Sequence, residues 1–200
     1  GILLVLIISL ILNVSGVKYG LPSYQGWAPD EILPRDVKEA IGRQFSHDWF
    51  RKYPPFHYYL LAILYAPFYL LHELRVIDLG MLSWYTVLFY IARLLSVVMA
   101  TATVYLVYKC GREIFDARSS FFAALVSILT VPYAYYAKLA NLDSPYIFWF
   151  IPSLFFYLRI LKTHQPKYYW LFLGTAVLAV CTKDQAYGLY VLSPLAVLYS

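Results

Sequence analysis

Apolar residues are arranged along the chain in long runs, each about the length of a helix, with short polar stretches between them. The runs predict spanning segments at about residues 1–16, 57–73, 82–108, 119–137, 144–161, 168–182 and 186–200. A helix that crosses a bilayer needs roughly 20 mostly apolar residues. The pattern therefore predicts an all-α fold, a polytopic transmembrane helical bundle, with residues 1–200 as a single transmembrane domain. The chain opens inside one apolar run and stops inside another, so we expect both ends to be truncated.

One long polar stretch, residues 17–56, interrupts this pattern after the first apolar run. It contains the acidic pair Asp30 and Glu31, followed by a segment that begins at Pro34 and ends at Gly42. A proline in the first turn and a glycine at the end are typical of helix boundaries. We expect a short amphipathic helix here that lies along the membrane interface.

Composition supports a membrane protein and excludes several other classes. The chain is 62% hydrophobic and only 14% charged, which is outside the usual range of soluble domains. Its 21 tyrosines and 5 tryptophans suit the two membrane interfaces. The net charge of +5 comes from scattered basic residues, so we expect no nucleic-acid partner. Cys110 and Cys181 are isolated and form neither a disulfide framework nor a metal-binding knuckle.

Basic residues in two short loops indicate the orientation of the chain. These residues are Lys109, Arg112 and Arg118 in the first loop, and Arg159, Lys162 and Lys167 in the second. Two predicted spans separate the loops, so both lie on one side of the membrane, which the positive-inside rule makes the cytosol. Counting the predicted spans from these two loops places residues 138–143 and Lys183 on the extracytosolic side.

The number of crossings within residues 57–92 stays open at this point. If the loop 17–56 is extracytosolic, this region crosses the membrane an even number of times, as a tight helix pair, or dips in without crossing. If 57–73 is a simple span, the loop is cytosolic and Asp30 lies opposite Asp143. We prefer the extracytosolic loop, because the other placement separates Asp30 from Asp143 and Lys183 by a bilayer.

Charged residues near the ends of the spans are the candidates for chemistry, since charge at membrane depth is costly. Each also has an ordinary structural explanation. Asp30 and Glu31 suit a helix N-terminus, and so does Asp143. Lys183 suits an interfacial lysine that reaches lipid headgroups, with Asp184 beside it as an ion-pair partner. Arg93 suits the start of a span.

Five motifs occur in an order that resembles the front half of the C-type glycosyltransferases that use polyprenyl-phosphate sugars. They are Trp27-Ala28-Pro29-Asp30-Glu31, Lys52-Tyr53-Pro54-Pro55-Phe56-His57-Tyr58-Tyr59, Ala92-Arg93-Leu94-Leu95-Ser96, Tyr135 to Asp143, and Gly174 to Lys183. Closest in pattern are the protein O-mannosyltransferases and the lipid A aminoarabinose transferases. The resemblance covers nearly the whole chain and implies the N-terminal part of that fold.

The resemblance implies roles for these charged residues. Asp30 becomes the catalytic carboxylate of the first extracytosolic loop, assisted by Glu31, and Asp143 becomes a second catalytic acid. Transfer of a phosphate-linked sugar independently calls for a carboxylate to take the proton of an acceptor hydroxyl and for cations to stabilise the leaving phosphate. The available cations are Lys183, Arg93 and Lys52.

A divalent metal ion is a further possible cofactor. Asp30 and Asp143 would supply carboxylate ligands, and His57 or His47 would add a nitrogen. A histidine beside two tyrosines at the edge of a span is more often a packing residue. The chain carries Arg51-Lys52-Tyr53 before its Pro-Pro pair, where the aminoarabinose transferases have an acid, which counts against their type of metal site.

The predicted function is transfer of a sugar from a polyprenyl-phosphate donor to a hydroxyl of a protein, lipid or glycan acceptor at the extracytosolic membrane face. Membrane lipids are the other expected partners of this multi-pass protein, in a plasma membrane or the endoplasmic reticulum. The alternative is a transporter or flippase of polyprenyl-linked glycans, which would show internal repeats and broken half-helices. The sequence shows no such repeat. A catalytically inactive subunit would be favoured by loss of the second acidic motif, which is present.

Overall fold

The computed structural model describes residues 1–46 and 53–191, and this part of the chain is helical with no strand. The helices are α1 (Ile2–Val14), α2 (Pro34–Gly42), α3 (Phe56–Glu73), α4 (Leu82–Ile114), α5 (Ala117–Leu129), α6 (Val131–Tyr136), α7 (Asp143–Thr163) and α8 (Pro166–Thr182), followed by the 3₁₀ helix Asp184–Tyr190. The predicted all-α class is therefore confirmed. Of the predicted segment 186–200, residues beyond 191 lie outside the described part.

Local sequence explains where these helices begin and end. α2 has Pro34 in its first turn, and the Asp36 carboxylate accepts a hydrogen bond from the Leu33 N–H at 3.0 Å. The predicted segment 119–137 is two helices, because Pro132 has no N–H to donate to the Ile128 carbonyl and Thr130 is extended. The α7–α8 connection turns at His164, which is left-handed, and α8 then begins at Pro166.

α4 is the central helix of the bundle and packs against α1, α5 and α7, while α8 packs against α7. Small residues allow these close approaches, as is usual between membrane helices. At Gly111, for example, an added Cβ would lie only 3.0 Å from the Ser120 side chain of α5. α4 and α7 are long and apolar enough to cross a membrane by length and composition, and α1 and α5 are shorter apolar helices.

α3 packs against α2, α4 and α8. Near its start, Tyr58 lines a cavity together with Asp143 and Lys183, and near its end Tyr69 lines a second cavity beside Arg35. Both cavities are also bounded by the nine-residue helix α2. In between, the Tyr65 hydroxyl donates to the Leu88 carbonyl in α4 at 2.9 Å. Both ends of α3 thus lie close to α2, and the number of crossings within residues 57–92 stays a prediction.

Candidate active site

A cavity of about 220 Å³ lies at the end of the bundle where α7 begins and α8 ends. It is lined by Pro29, Asp30, Glu31, Ile32, Asp36, Tyr53, Tyr58, Leu142, Asp143 and Lys183. The first loop, α2, the start of α3 and the ends of α7 and α8 all contribute to it. Asp30 and Asp143 share its wall, so the arrangement that would put them on opposite sides of a bilayer does not hold.

Glu31 is buried, and both of its carboxylate oxygens are engaged by Arg93. Arg93 Nε donates to Glu31 Oε1 at 2.7 Å and Arg93 Nη2 donates to Oε2 at 3.0 Å, with both side chains 0% exposed. Two backbone N–H groups also donate to this carboxylate. The Trp27 N–H donates to Oε2 at 3.0 Å, and the Ala140 N–H donates to Oε1 at 3.3 Å. The carboxylate therefore joins the first loop to α4 and to the segment before α7.

The Arg93 guanidinium has further partners besides the Glu31 carboxylate, including two backbone carbonyls. Its Nη1 donates to the Val17 carbonyl at 2.6 Å and to the Tyr19 carbonyl at 2.7 Å, and the guanidinium lies over the Phe89 ring at 5.7 Å. Two-point pairing with a carboxylate is the strongest geometry available to arginine. Arg93 is not among the residues that line the cavity.

Lys183 lies at the cavity wall and pairs with Asp143. Lys183 Nζ donates to Asp143 Oδ1 at 2.7 Å, and the ammonium also lies 5.7 Å from the Tyr53 ring centre and 5.4 Å from that of Tyr146. Burial alone would lower the pKa of Lys183, but the hydrogen bond and charge of Asp143 outweigh it and raise the pKa above the ordinary lysine value. The sequence led us to expect an ion pair between Lys183 and adjacent Asp184. The structure pairs Lys183 with Asp143 instead, because α8 ends at Lys183 and the lysine side chain extends to the start of α7.

Three of the cavity-lining residues carry an acidic or hydroxyl group and were not among the predicted site residues, namely Asp36, Tyr53 and Tyr58. Asp36 occupies the first turn of α2, and burial raises its pKa despite the hydrogen bond from the Leu33 N–H. The two tyrosines flank the Pro54-Pro55 pair. Their position in that motif was the available signal, but tyrosine is so frequent in this chain that it carries little information.

The remaining predicted site residues lie elsewhere. Lys52, like His47, is outside the described residues. His57 is 1% exposed within the buried face of α3 and does not line the cavity. Among residues 1–46 and 53–191, no three His, Cys, Asp or Glu side chains are grouped so that they could hold a metal ion. The predicted trio of Asp30, Asp143 and His57 is therefore not brought together, since His57 faces the packed interior.

An all-helical chain whose acidic and basic side chains meet in one cavity at the end of its bundle is of the kind expected for the C-type glycosyltransferases. Comparison with protein families supports this class. The family described as dolichyl-phosphate-mannose-protein mannosyltransferase matches residues 52–199, and the chain belongs to this family. The match includes Arg93, Asp143 and Lys183 but begins after Asp30 and Glu31. No curated protein and no solved structure matches the chain.

Membership in the family identifies the protein in general terms. It is a mannosyltransferase-type enzyme of the C-type class, and the family is embedded in membranes. This agrees with α4 and α7, the helices within residues 1–46 and 53–191 that are long and apolar enough to cross a bilayer. It also favours the predicted enzyme over the alternative of a non-catalytic transporter.

Proposed function

We propose that this chain forms the reaction site of a glycosyltransferase that moves a sugar from a polyprenyl-phosphate donor to an acceptor hydroxyl at the extracytosolic membrane face. The observation that carries the proposal is the meeting of Asp30, Asp143 and Lys183 in one cavity. Transfer requires a proton acceptor beside the incoming hydroxyl and a cation beside the departing phosphate, and this cavity holds both kinds of group.

Asp30 is the proposed base. Its side chain is exposed at the cavity, whereas adjacent Glu31 is buried and fully engaged with Arg93. The Asp30 carboxylate takes the proton of the acceptor hydroxyl while the hydroxyl oxygen forms a bond to the anomeric carbon of the sugar. The bond between that carbon and the phosphate oxygen breaks, and polyprenyl phosphate leaves with the electron pair.

Lys183 is the proposed phosphate-binding cation. Its ammonium is paired with Asp143, so a donor phosphate that binds Lys183 replaces Asp143 as its partner. The released Asp143 carboxylate then lies in the same cavity as Asp30, where it orients the acceptor. Tyr53 and Tyr146 keep the ammonium in place during the exchange, because their rings attract it in either state.

Arg93 takes a different role from the predicted phosphate contact. Its guanidinium donors are directed to Glu31 and to two backbone carbonyls, and the side chain has no exposed surface. We assign it to positioning: with Glu31 it fixes the loop that carries Asp30. Lys52 stays a predicted phosphate contact, next in sequence to Tyr53 at the cavity wall.

The test is transfer by the purified full-length protein in nanodiscs, with labelled polyprenyl-phosphate sugars and a panel of protein, lipid and glycan acceptors. We expect labelled product with at least one donor and acceptor, and loss of that product in Asp30→Asn. Glu39→Gln is the matched control, because Glu39 is an exposed acid of α2 that pairs with Arg43 and does not line the cavity. Donor binding without product across the whole panel would contradict the proposal.

A further inference from the structure

A second and larger cavity lies beside the first loop and shares no described lining residue with the candidate active site. This groove has a volume of about 540 Å³ and lies between the first loop and the α5–α6 junction. Ile128, Leu129, Val131 and Ala134 form its apolar wall. Leu129 and Val131 are 65% and 77% exposed, which suits side chains that contact lipid rather than water.

Aromatic rings and one cation complete the groove. Trp27 and Tyr135 lie with their ring centres 5.8 Å apart, a pairing typical of the membrane interface. Lys138 also lines the groove, and its aliphatic stem lies so close to Gly16 that an added Cβ there would be 2.5 Å from Lys138 Cδ. Gly16 thus permits the position of Lys138, and an apolar wall with one ammonium is complementary to an anionic amphiphile.

We propose that this groove binds an anionic phospholipid, with an acyl chain along the apolar wall and the headgroup phosphate at Lys138. The donor lipid is a poorer fit, because its proposed phosphate site is Lys183 in the other cavity. Among the residues that the structure describes, none lines both cavities. Glu31, which lines the active-site cavity, and its partner Arg93 are contacted by residues that line the groove.

The bound lipid contacts the residues that hold this pair. Trp27 lines the groove and its N–H donates to Glu31, while Tyr19 lines the groove and its carbonyl accepts from Arg93. Leu139 lines the groove immediately before Ala140, whose N–H also donates to Glu31. The lipid therefore supports the loop that presents Asp30 without touching the reacting groups.

The experiment places the photo-crosslinking residue p-benzoylphenylalanine at position 134 of the full-length protein. The protein is incorporated in nanodiscs of equal phosphatidylglycerol and phosphatidylcholine with a trace of polyprenyl phosphate, and the crosslinked lipid is identified by mass spectrometry. We expect phosphatidylglycerol to exceed phosphatidylcholine by about fivefold, which corresponds to about 1 kcal/mol for one lysine at an anionic membrane surface. This readout needs no transfer activity, so its result is independent of the proposed function.

Lys138→Gln should return the lipid ratio to that of the nanodisc, and Gly16→Ala should lower it by displacing the lysine. Lys18→Gln is the matched control, because Lys18 is exposed nearby and does not line the groove, and it should leave the ratio unchanged. A thermal unfolding curve for each variant shows that the fold is retained. The proposal would be overturned if both phospholipids were crosslinked in the ratio at which the nanodisc contains them. It would also be overturned if the main crosslinked species were polyprenyl phosphate or a protein.

Discussion

Asp30 and Glu31 are adjacent in the sequence, yet their surroundings give them different chemistry. The Glu31 side chain has no exposed surface and accepts hydrogen bonds from Arg93 and from two backbone N–H groups. Asp30 is exposed at the cavity wall. A substrate hydroxyl reaches an exposed carboxylate more readily than one whose side chain has no exposed surface, so Asp30 is the better base of the two.

The first prediction concerns Asp30 itself. We expect Asp30→Asn to lower the transfer rate by about a hundredfold to ten-thousandfold, the usual contribution of a positioned base. Binding of the donor lipid should change little, because the phosphate site is at Lys183. Rates are measured on the full-length protein with Glu39→Gln as control, and a variant that keeps more than about a third of the wild-type rate would assign Asp30 to helix capping.

The second prediction follows from the pairing of Lys183 with Asp143. Asp143→Asn should bind polyprenyl phosphate more tightly, by about fivefold at most, because a partly exposed ion pair contributes up to about 1 kcal/mol and the phosphate no longer competes with it. The same variant should transfer sugar more slowly. Lys183→Ala should weaken binding strongly and Lys183→Arg partly, since arginine keeps the charge but has a wider, planar head.

Binding is measured by titration of polyprenyl phosphate into each purified variant. Asp184→Asn serves as the control, because Asp184 is exposed and the structure pairs Lys183 with Asp143 instead. Weaker binding in Asp143→Asn would mean that Asp143 helps to hold the phosphate, and the exchange of partners would be wrong.

At the scale of elements, the first loop is attached to the bundle mainly through buried groups. Arg93 of α4 holds the start of the first loop through the Val17 carbonyl, and Glu31 reaches the segment before α7 through the Ala140 N–H. Ile32 donates to the Ala140 carbonyl beside it. These contacts set the position of the loop relative to α7, and therefore the approach of Asp30 to Asp143.

The third prediction tests this attachment. Arg93→Met leaves Glu31 as a buried, unpaired acid and should lower the free energy of unfolding by about 3–5 kcal/mol. The double variant Arg93→Met with Glu31→Met should recover much of that stability, because an apolar pair can replace a buried ion pair. Transfer should stay low in the double variant, since the hydrogen bonds that position the loop are lost.

Stability is followed by chemical unfolding in detergent. Arg159→Met is the control, because Arg159 pairs with Glu113 at the other end of α7 in a more exposed site, and it should lose little. Recovery of both stability and transfer in the double variant would show that the pair has no positioning role.

At the scale of the whole molecule, charged groups are separated to the two ends of the bundle. The candidate active site lies at one end, where α7 begins and α8 ends. At the other end, Glu113 pairs with Arg159 and Lys162, and Arg159 donates to the Tyr168 hydroxyl at 3.0 Å. The orientation that the basic loops predict, with the active site outside and the basic end in the cytosol, stays a prediction.

The fourth prediction is the labelling pattern of single cysteines in intact cells. With Cys110 and Cys181 replaced by serine, a cysteine at Glu39 should react with a membrane-impermeant thiol reagent, and cysteines at Arg112 and Lys162 should react only after permeabilisation. All three positions are exposed in the structure. Reaction at position 112 but not at 39 in intact cells would reverse the orientation.

The alternation of apolar runs and polar breaks determined the helices and the class of the protein. The amphipathic helix from Pro34 to Gly42 was predicted closely, because proline, glycine and the apolar spacing are local signals. The order of the motifs was enough to indicate the family that the comparison shows. The apolar pattern does not decide whether α3 crosses the membrane, since an apolar helix of 18 residues has the same composition in either case.

Only the tertiary structure shows which residues far apart in the sequence pair with one another. Arg93 is separated from Glu31 by 62 positions and Lys183 from Asp143 by 40, and charge alone made Arg93, Lys183 and Lys52 equally good candidates for a phosphate. Packing buries Arg93 against the Glu31 carboxylate and leaves Lys183 at the wall of the candidate active site. Residue type and spacing along the chain determine which groups are available for chemistry, but burial and direction in space determine which of them meets a substrate.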